Sequence, residues 1–456
     1  MAAVTTLLQI MSLLMNYQFV LADLHTSSSS ISDNICGFVG ATNVESFFPE
    51  WSCFPNGSTT SNPCLWSGIS CDNVKNEIIE FNLQSTDVLN IVGTLSPSLG
   101  QIISLQVINI AHSEITGSIP SDIGSLSDLQ FLYLNHNHLS GSIPSTIGYL
   151  TALEQLYLDD NRGLTGTLPA SMGSLTALVW LNLYVTALSG PIPASFGSLS
   201  ALLGMYMYNC AFTGTMPSSL GSLTQLQFIF LDNNFFSGPI PYSFGSLSSL
   251  LDLFLYNNKL SGTLPASLGQ LTLIGSVYIN NNEIGGAIPT TLGNWGRMQF
   301  LSLYDNLLTG PLPTTMRNWT TLEGLYLNNN ALSGPISDSF SHLSKLHELA
   351  LYTNSFTGTL PSFFGSLTTL RYVKMYDNDL SGRIPDALGS LTRLRYLDIY
   401  DNSLTGPIPA SLGAIRALQG FLVEGNRISE WSEFCHWESH IECTSFSSCV
   451  LHAFVL

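Results

Sequence analysis

The chain has 456 residues with 13 Lys and Arg against 31 Asp and Glu, which gives a formal net charge of −18. This acidic balance makes nucleic acid an unexpected partner, since phosphates select basic patches. Hydrophobic residues make up 45% of the chain, and the length alone would suggest about three domains.

The first segment in chain order is an apolar leader. Residues 1–22 read MAAVTTLLQIMSLLMNYQFVLA, which predicts a secretory signal peptide cleaved after Ala22. The usual basic residue near the N-terminus is missing, because no Lys or Arg precedes Lys75. No later apolar run reaches the roughly 18 residues of a membrane-spanning helix, and the terminal CVLHAFVL is short for a lipid-anchor signal. We therefore expect membrane association only through an anchor or partner that the sequence does not show.

From Ile78 to Asn426 the chain repeats itself. Thirteen full repeats start at Leu105 and end at Ala417; twelve have 24 residues, and the one that starts at Leu153 has 25. A looser copy precedes them and a half copy follows, which makes about 14 repeats over residues 78–426. A fixed period of this length predicts a solenoid, and so one elongated domain. We expect an N-terminal cap over residues 23–77 and a C-terminal cap over residues 427–456.

Each repeat can be numbered from its first apolar residue. Apolar residues recur at positions 1, 4, 6, 11, 15, 19 and 22, and their alternation with positions 3, 5 and 7 predicts one short strand per repeat. Gly occupies position 13 in every full repeat, and Pro occupies position 16 in all but the one with Ser337. Position 9 is Asn in ten repeats, the exceptions being Ser113, Thr186 and Cys210. Because an amide both donates and accepts, these asparagines should bond their own loop and the next one.

The motif LxxLxLxxNxLSGxIPxxLGxL resembles the leucine-rich repeat in its plant-type, 24-residue form. The resemblance implies an α/β repeat solenoid, a horseshoe or superhelix with one long parallel β-sheet on the concave face. It also implies a second short strand around SGxIP and turns or short 3₁₀ helices on the convex side. Upstream, CLWSGISCD is similar to the N-terminal cap of this family, through Cys64, Trp66, Gly68, Cys71 and Asp72. Such caps occur in receptor-like proteins, receptor kinase ectodomains and polygalacturonase inhibitors, and related repeats occur in surface antigens of protists such as trypanosomatids.

Seven of the eight cysteines fall in the two caps, as an extracellular solenoid would place them. The cap resemblance implies a Cys64–Cys71 bond, which leaves Cys36 and Cys53 to pair with each other. The C-terminal cap holds an odd number, so that the pairing of Cys435, Cys443 and Cys449 stays open. For the run CHWESHIEC we favour a disulfide over a zinc site. Sequons at Asn56 and Asn318 permit glycosylation.

The sequence offers no catalytic constellation. It contains no GxxxxGK and no GxSxG motif, so we expect neither an enzyme nor a cofactor or metal. One column of polar residues stands out, because His112, His136 and Asp160 share position 8 in three consecutive repeats. They should stack beside the strands, either as a merely polar position or as a site that binds a metal or senses pH.

The concave face is rich in aromatic residues. Fourteen of the seventeen tyrosines occupy positions 3, 5 or 7, and Trp180, Phe228, Phe230, Phe254 and Phe300 join them. Position 7 alone holds Tyr184, Tyr208, Tyr256, Tyr304, Tyr352, Tyr376 and Tyr400. Tyrosine supplies area and a polar handle at low entropic cost, which predicts an acidic-rimmed contact groove. The alternative is that these rings stack on their cross-strand neighbours.

The repeats that start at Leu346, Leu370 and Leu394 combine tyrosines with positive charges. The candidate ligand-binding residues there are Tyr352, Arg371, Tyr372, Lys374, Tyr376, Arg395, Tyr396 and Tyr400. Tyr and Arg together are the composition of binding hot spots, and the cations would orient an acidic partner. The alternative is that Arg371 and Arg395 simply offset nearby Asp377, Asp398 and Asp401. The Tyr184–Tyr208 region is the second candidate.

The leading hypothesis is a secreted or cell-surface recognition protein that binds a protein or peptide along the aromatic concave face. Two alternatives stay open. One is a glycan or cell-wall binder that uses tyrosine faces against sugar rings, and the other is a structural or antigenic surface coat protein without one fixed ligand.

Overall fold

A computed structural model describes residues 36, 42, 63–65, 67–73, 77–83 and 91–430, together with the backbone of 441–445 and 448–451. The predicted signal peptide, Cys53, Asn56, Trp66 and Cys435 lie outside the described residues. Each repeat contributes a strand, a second short strand and a 3₁₀ helix, in that order.

The first strands of all repeats form one 16-stranded sheet in chain order. All its pairings are parallel except the first, where Ile69–Cys71 runs antiparallel to Ile78–Asn82. At a spacing of about 4.8 Å per strand the sheet is roughly 70 Å long. After Ile69–Cys71 and Ile78–Asn82, its strands are Val107–Asn109, Phe131–Tyr133, Gln155–Tyr157, Trp180–Asn182, Gly204–Tyr206, Phe228–Phe230, Asp252–Phe254, Ser276–Tyr278, Phe300–Ser302, Gly324–Tyr326, Glu348–Ala350, Tyr372–Lys374, Tyr396–Asp398 and Gly420–Leu422.

The second strands lie around the SGxIP segments, as the resemblance implied. Eight of them form one parallel sheet and seven another, with a single bridge between Thr263 and Gly285 where the two sheets meet. The first comprises Val92–Thr94, Glu114–Gly117, His138–Gly141, Gly163–Thr167, Ala187–Gly190, Ala211–Gly214, Phe235–Gly238 and Lys259–Leu260. The second comprises Gly285–Gly286, Leu307–Gly310, Ala331–Pro335, Ser355–Thr359, Asp379–Arg383, Ser403–Pro407 and Arg427–Glu430.

The helical elements of the repeats are single turns of 3₁₀ helix, and they begin directly after the position-16 proline. Where Ser337 replaces that proline, its side chain accepts a hydrogen bond from the Ser339 N–H and caps the turn instead. The turns are Pro63–Leu65, Pro97–Gln101, Ser121–Ser125, Ser145–Tyr149, Ala170–Ser174, Ala194–Ser198, Ser218–Ser222, Tyr242–Ser246, Ala266–Gln270, Thr290–Asn294, Thr314–Asn318, Asp338–His342, Ser362–Ser366, Asp386–Ser390 and Ala410–Ala414.

The predicted asparagine ladder is present. Asn258 Nδ2 donates to the carbonyls of Leu255 and Tyr256 in its own loop and to Leu231 in the preceding repeat. Its Oδ1 accepts from the Phe236 N–H at 2.9 Å. Each amide therefore satisfies backbone groups of two repeats, and stacking supplies what a single repeat lacks.

The apolar positions join into one continuous core that runs from Ile69 to Val423. At its N-terminal end Cys64 and Cys71, the pair implied by the cap resemblance, form a disulfide with their Cα atoms 5.6 Å apart. Cys36 is disulfide-bonded as well. At the other end, Ile441–Ser445 and Ser448–Leu451 form an antiparallel hairpin in which Cys443 and Cys449 are opposite each other.

Candidate functional site

The outward side of the long sheet, formed by positions 3, 5 and 7, is called the strand face below. Parallel pairing without register shifts sets residues of equal position beside each other, for example Phe230 beside Phe254 and Tyr372 beside Tyr396. Every strand-face position therefore forms a column that runs along the solenoid.

The predicted tyrosines of the last three full repeats form two stacks. At position 7, Tyr352, Tyr376 and Tyr400 stack with ring centroids 4.4 and 4.2 Å apart and planes within 13°. At position 3, Tyr372 and Tyr396 stack at 5.7 Å. All five rings keep part of their surface exposed, Tyr396 the most at 37%. These stacks together with Arg371, Lys374 and Arg395 are called the tyrosine–cation patch below.

The stacking covers ring faces, and along position 7 the hydroxyls of Tyr352, Tyr376 and Tyr400 hydrogen-bond to one another. Both faces of Tyr376 lie against another tyrosine. Tyr396 has Tyr372 on one face, and on the other lies Gly420, where an added Cβ would come within 2.6 Å of the ring. Tyr376 and Tyr396 therefore present edges to a partner, whereas among the described residues Tyr352, Tyr372 and Tyr400 each stack with one tyrosine only.

The cations of the patch are not held in ion pairs. Among the described residues, no carboxylate oxygen lies within 4.0 Å of a charged nitrogen of Arg371, Lys374 or Arg395. Lys374 is opposite Asp398 in the sheet and favours the charged form of that carboxyl, although burial has the larger effect and raises the pKa of Asp398. The alternative that Arg371 and Arg395 simply offset carboxylates has no direct contact to support it.

The second candidate, Tyr184 and Tyr208, is also a stacked pair, with centroids 4.5 Å apart and planes within 4°. Its two neighbours in the column are Asp159 and Asp232, which are 1% and 3% exposed. Burial raises the pKa of both carboxyls to about 6, and the hydroxyls of Tyr184 and Tyr256 act in the opposite direction. Within the described part of the chain, Asp159 Oδ1 has no hydrogen-bond partner.

The aromatic residues between repeats 4 and 8 are not an open groove, which corrects the sequence-based expectation. Tyr206, Phe230 and Phe254 are at most 9% exposed and form a second cluster with six partly buried aromatic neighbours: Trp180, Tyr184, Tyr208, Phe228, Tyr256 and Tyr278. Phe230 and Phe254 stack at 4.3 Å, and Tyr206 meets Phe230 edge-on at 5.0 Å. We call this the central aromatic cluster.

Gly204 explains why the cluster closes. It occupies position 3, where a Cβ would lie 2.5 Å from the Trp180 ring and 2.6 Å from the Tyr206 ring. The missing side chain leaves room for the Trp180 and Tyr206 rings over Gly204. A glycine among aromatic residues at one column position was the signal in the sequence that could have predicted this closure.

The histidine column forms as predicted. His112 and His136 stack at 4.3 Å, and His136 Nδ1 lies 2.9 Å from Asp160 Oδ2. Arg162 contributes a further ion pair to Asp160 at 3.5 Å. In the part of the chain that the structure describes, no group of three His, Cys, Asp or Glu side chains is arranged to hold a metal ion.

Position 8 has a backbone role that the sequence reading missed. All thirteen residues there have φ between +48° and +56°. Asn, Asp and His tolerate this left-handed region best among non-glycine residues, and that composition was the available signal. Val185 and Thr353 are the β-branched exceptions. Each directly follows the first tyrosine of a position-7 stack.

Other predicted residues lie away from the strand face. Asn318 is exposed at the end of its 3₁₀ turn, and its Nδ2 donates to the Gly293 carbonyl at 3.1 Å. Cys210 is a partly buried free thiol that contacts Thr186 Oγ1 at 3.2 Å, in place of the amide of the ladder. Among the described residues, none of the helices has the length and apolar character needed to cross a membrane.

The fold and the strand face define a repeat solenoid that presents one long, side-chain-rich surface. A Leucine Rich Repeat model matches residues 104–126, 128–150, 225–247, 249–271, 321–343 and 393–415. The chain belongs to the leucine-rich repeat family, and its repeats are of the plant type. A search among curated proteins finds no match.

Three solved structures illustrate the likeness. The plant peptide hormone receptor RGFR1 in complex with RGF2 is 30% identical, with a TM-score of 0.67 over 80% of this chain and 68% of that one. The leucine-rich repeat ectodomain of the Arabidopsis thaliana membrane receptor kinase GASSHO1/SCHENGEN3, in complex with CASPARIAN STRIP INTEGRITY FACTOR 2, is 25% identical. Its TM-score is 0.50 over 89% of this chain, which spans 60% of that ectodomain. The Leptospira interrogans protein LIC12759 is 28% identical, with a TM-score of 0.60 and coverages of 74% and 84%.

Proposed function

We propose that this chain is a secreted or surface-displayed recognition protein, without catalysis of its own, that binds a protein or peptide partner through the strand face. The apolar leader and the Cys64–Cys71 disulfide support an oxidising, extracellular location. Two of the similar structures are plant receptors in complexes with RGF2 and CASPARIAN STRIP INTEGRITY FACTOR 2, which favours the same class of function.

One observation carries the choice of site: the tyrosine–cation patch is the part of the strand face where partly exposed tyrosines lie beside several unpaired cations. Unpaired cations at the surface add little to folding, since even paired surface charges contribute only about 0–1 kcal/mol. Tyr and Arg at the centre of an interface contribute most to binding. We therefore assign the patch as the main contact and the Tyr184–Tyr208 pair as the second.

The geometry favours a protein over a glycan. A sugar ring would need an open tyrosine face, whereas Tyr376 and Tyr396 have both faces covered. A polypeptide can instead contact the ring edges with its side chains and accept hydrogen bonds from tyrosine hydroxyls. Burial and the adjacent Tyr400 hydroxyl raise the pKa of Tyr376 to about 12, so this hydroxyl stays a donor at neutral pH.

The test is affinity capture from the cell surface of the source organism with immobilised protein, followed by mass spectrometry. The patch variant carries Tyr376→Ala and Arg395→Ala. The matched control carries Tyr149→Ala and Arg317→Ala, which likewise removes one exposed tyrosine and one exposed cation, both from the 3₁₀ turns. We expect the wild type and the control to retain the same partner and the folded patch variant to lose it. Equal retention by all three proteins would overturn this site.

A further inference from the structure

The positive charges around the patch share one side of the strands. Position 2, just before each strand, holds His347, Arg371 and Arg395 in three consecutive repeats. Their backbones stack directly, because the Arg371 N–H donates to the His347 carbonyl and the Arg395 N–H to the Arg371 carbonyl, both at 2.8 Å. Rungs of the sheet are about 4.8 Å apart. Arg371 and Arg395 therefore form a cationic column at what we call the leading edge of the strand face.

Further cations lie beside this column. Lys345 and Arg393 occupy position 24, directly before the repeats that contain His347 and Arg395, and both are exposed. Lys374 lies on the adjacent strand Tyr372–Lys374. None of them has a carboxylate partner within 4.0 Å among the described residues.

Two exposed acidic residues of the same repeats lie at the opposite side, whereas Glu348 at position 3 accepts a hydrogen bond from the Tyr326 hydroxyl and Asp398 at position 5 is 8% exposed. Asp377 and Asp401 occupy position 8, six residues beyond Arg371 and Arg395. At about 3.3 Å per residue a fully extended chain of that length spans at most roughly 20 Å. Even half of that distance exceeds the Debye length at physiological salt, which is about 8 Å. The leading edge is therefore positive at Arg371 and Arg395, and Glu323 bounds it one repeat before His347.

From this separation we infer that the partner of the patch presents an acidic polypeptide segment, which docks along the leading edge with its carboxylates on Arg371, Arg395 and their basic neighbours. Tyr372 and Tyr396 adjoin the column and offer hydroxyls and ring edges to the backbone and side chains of that segment. Net repulsion elsewhere on the protein confines an acidic segment to this edge and sets its orientation. Because such docking presupposes a strand face that binds protein, the inference rests on the function proposed above.

The experiment uses a fluorescent octaglutamate peptide as the probe and measures its binding by anisotropy. We expect binding at about 20 mM salt that weakens roughly tenfold at about 150 mM. Arg371→Gln with Arg395→Gln should weaken it by about tenfold or more. Arg297→Gln with Arg317→Gln, which changes the net charge equally at two isolated exposed arginines, should change the affinity by less than about twofold. Melting curves of both variants confirm that they fold.

Octaglutamine serves as the uncharged control peptide, and a sulfated oligosaccharide serves as an anion that is not a peptide. The inference is overturned if octaglutamate binds the patch variant as tightly as the wild type, or does not bind at either salt concentration. It is also overturned if only the sulfated oligosaccharide binds in a patch-dependent way. If the octaglutamate results overturn this inference, the protein partner identified by affinity capture still stands. If capture of that partner does not depend on Tyr376 and Arg395, the proposed binding site itself is wrong.

Discussion

The central aromatic cluster and the tyrosine–cation patch both place aromatic rings at positions 3 and 7 of the strand face, yet they differ in burial. In the cluster, rings from neighbouring columns interlock over Gly204 and bury Tyr206, Phe230 and Phe254. In the patch, rings stack only within their own columns, and Lys374 occupies the position between them. Whether the aromatic rings of the strand face are buried or exposed therefore depends on the residues at position 5, which lie between the ring columns.

The largest expected difference between the two regions is in stability. Phe230→Ala should lower the free energy of unfolding by about 3–5 kcal/mol, because it empties a buried position in the cluster. Tyr376→Ala removes two stacking contacts at a partly exposed site and should cost about 1 kcal/mol. Urea unfolding with hydrogen exchange, read repeat by repeat, compares the two variants. Similar costs for both would show that the regions do not differ as described.

The next largest expected effect on the free energy of unfolding comes from the asparagine ladder. Asn258→Ala should cost about 1–3 kcal/mol because it leaves buried backbone groups without partners. The ladder is interrupted beneath the cluster, where Thr186 and Cys210 replace two amides. Cys210→Asn should restore the missing bonds and raise the unfolding free energy by about 1 kcal/mol. A cost below about 0.5 kcal/mol for Asn258→Ala would mean that water replaces the amide easily.

The pH dependence of the unfolding free energy should also differ between the two regions, by an amount similar to or smaller than the effect of the ladder variants. Burial raises the pKa of Asp159 and Asp232 to about 6, while the unfolded chain titrates near the ordinary value of about 3.9. Between these values the folded state binds more protons, so the stabilisation is present at low pH and is lost as pH rises through about 6. His112 acts in the opposite direction, since burial and His136 lower its pKa.

We expect the repeats around Asp159 and Asp232 to exchange amide hydrogens more slowly at pH 5 than at pH 7.5, after correction for intrinsic rates. The gain should be on the order of 1 kcal/mol. In a variant with Asp159→Asn and Asp232→Asn this dependence should shrink, while Asp128→Asn serves as the exposed control. An unchanged dependence in the double variant would assign it to other groups.

The smallest effect concerns the two β-branched residues at position 8. Val185→Asn and Thr353→Asn should each raise the unfolding free energy by about 0.5–1 kcal/mol, because Asn tolerates the left-handed backbone better. The reverse change, Asn209→Val, should cost about as much at a position with the same φ of +53°. If Val185→Asn instead destabilises the protein, side-chain packing there outweighs backbone strain.

The repeat register and the amide ladder were predictable from the sequence, because each depends on residue types at fixed offsets within one repeat. The short second strands were implied by the family resemblance. The burial of individual side chains on the strand face was not predictable from the sequence. Whether Phe230 is covered depends on Phe254, Tyr206 and Gly204, which lie in different repeats and different columns. For that reason the sequence left open whether these rings form a contact groove or stack on their neighbours, while the Tyr352–Tyr376–Tyr400 column required only that tyrosine recur at a single repeat position.

Radical footprinting of the protein with and without its captured partner tests the central claim most directly. In the free protein, Tyr372, Tyr376, Tyr396 and Tyr400 should be modified faster than Tyr206, which is 4% exposed. In the complex, protection should be strongest at these four tyrosines and weaker at Tyr184 and Tyr208, which form the second contact. Protection of Tyr184 and Tyr208 with unchanged labelling at Tyr376 and Tyr396 would contradict the assignment of the patch as the binding surface.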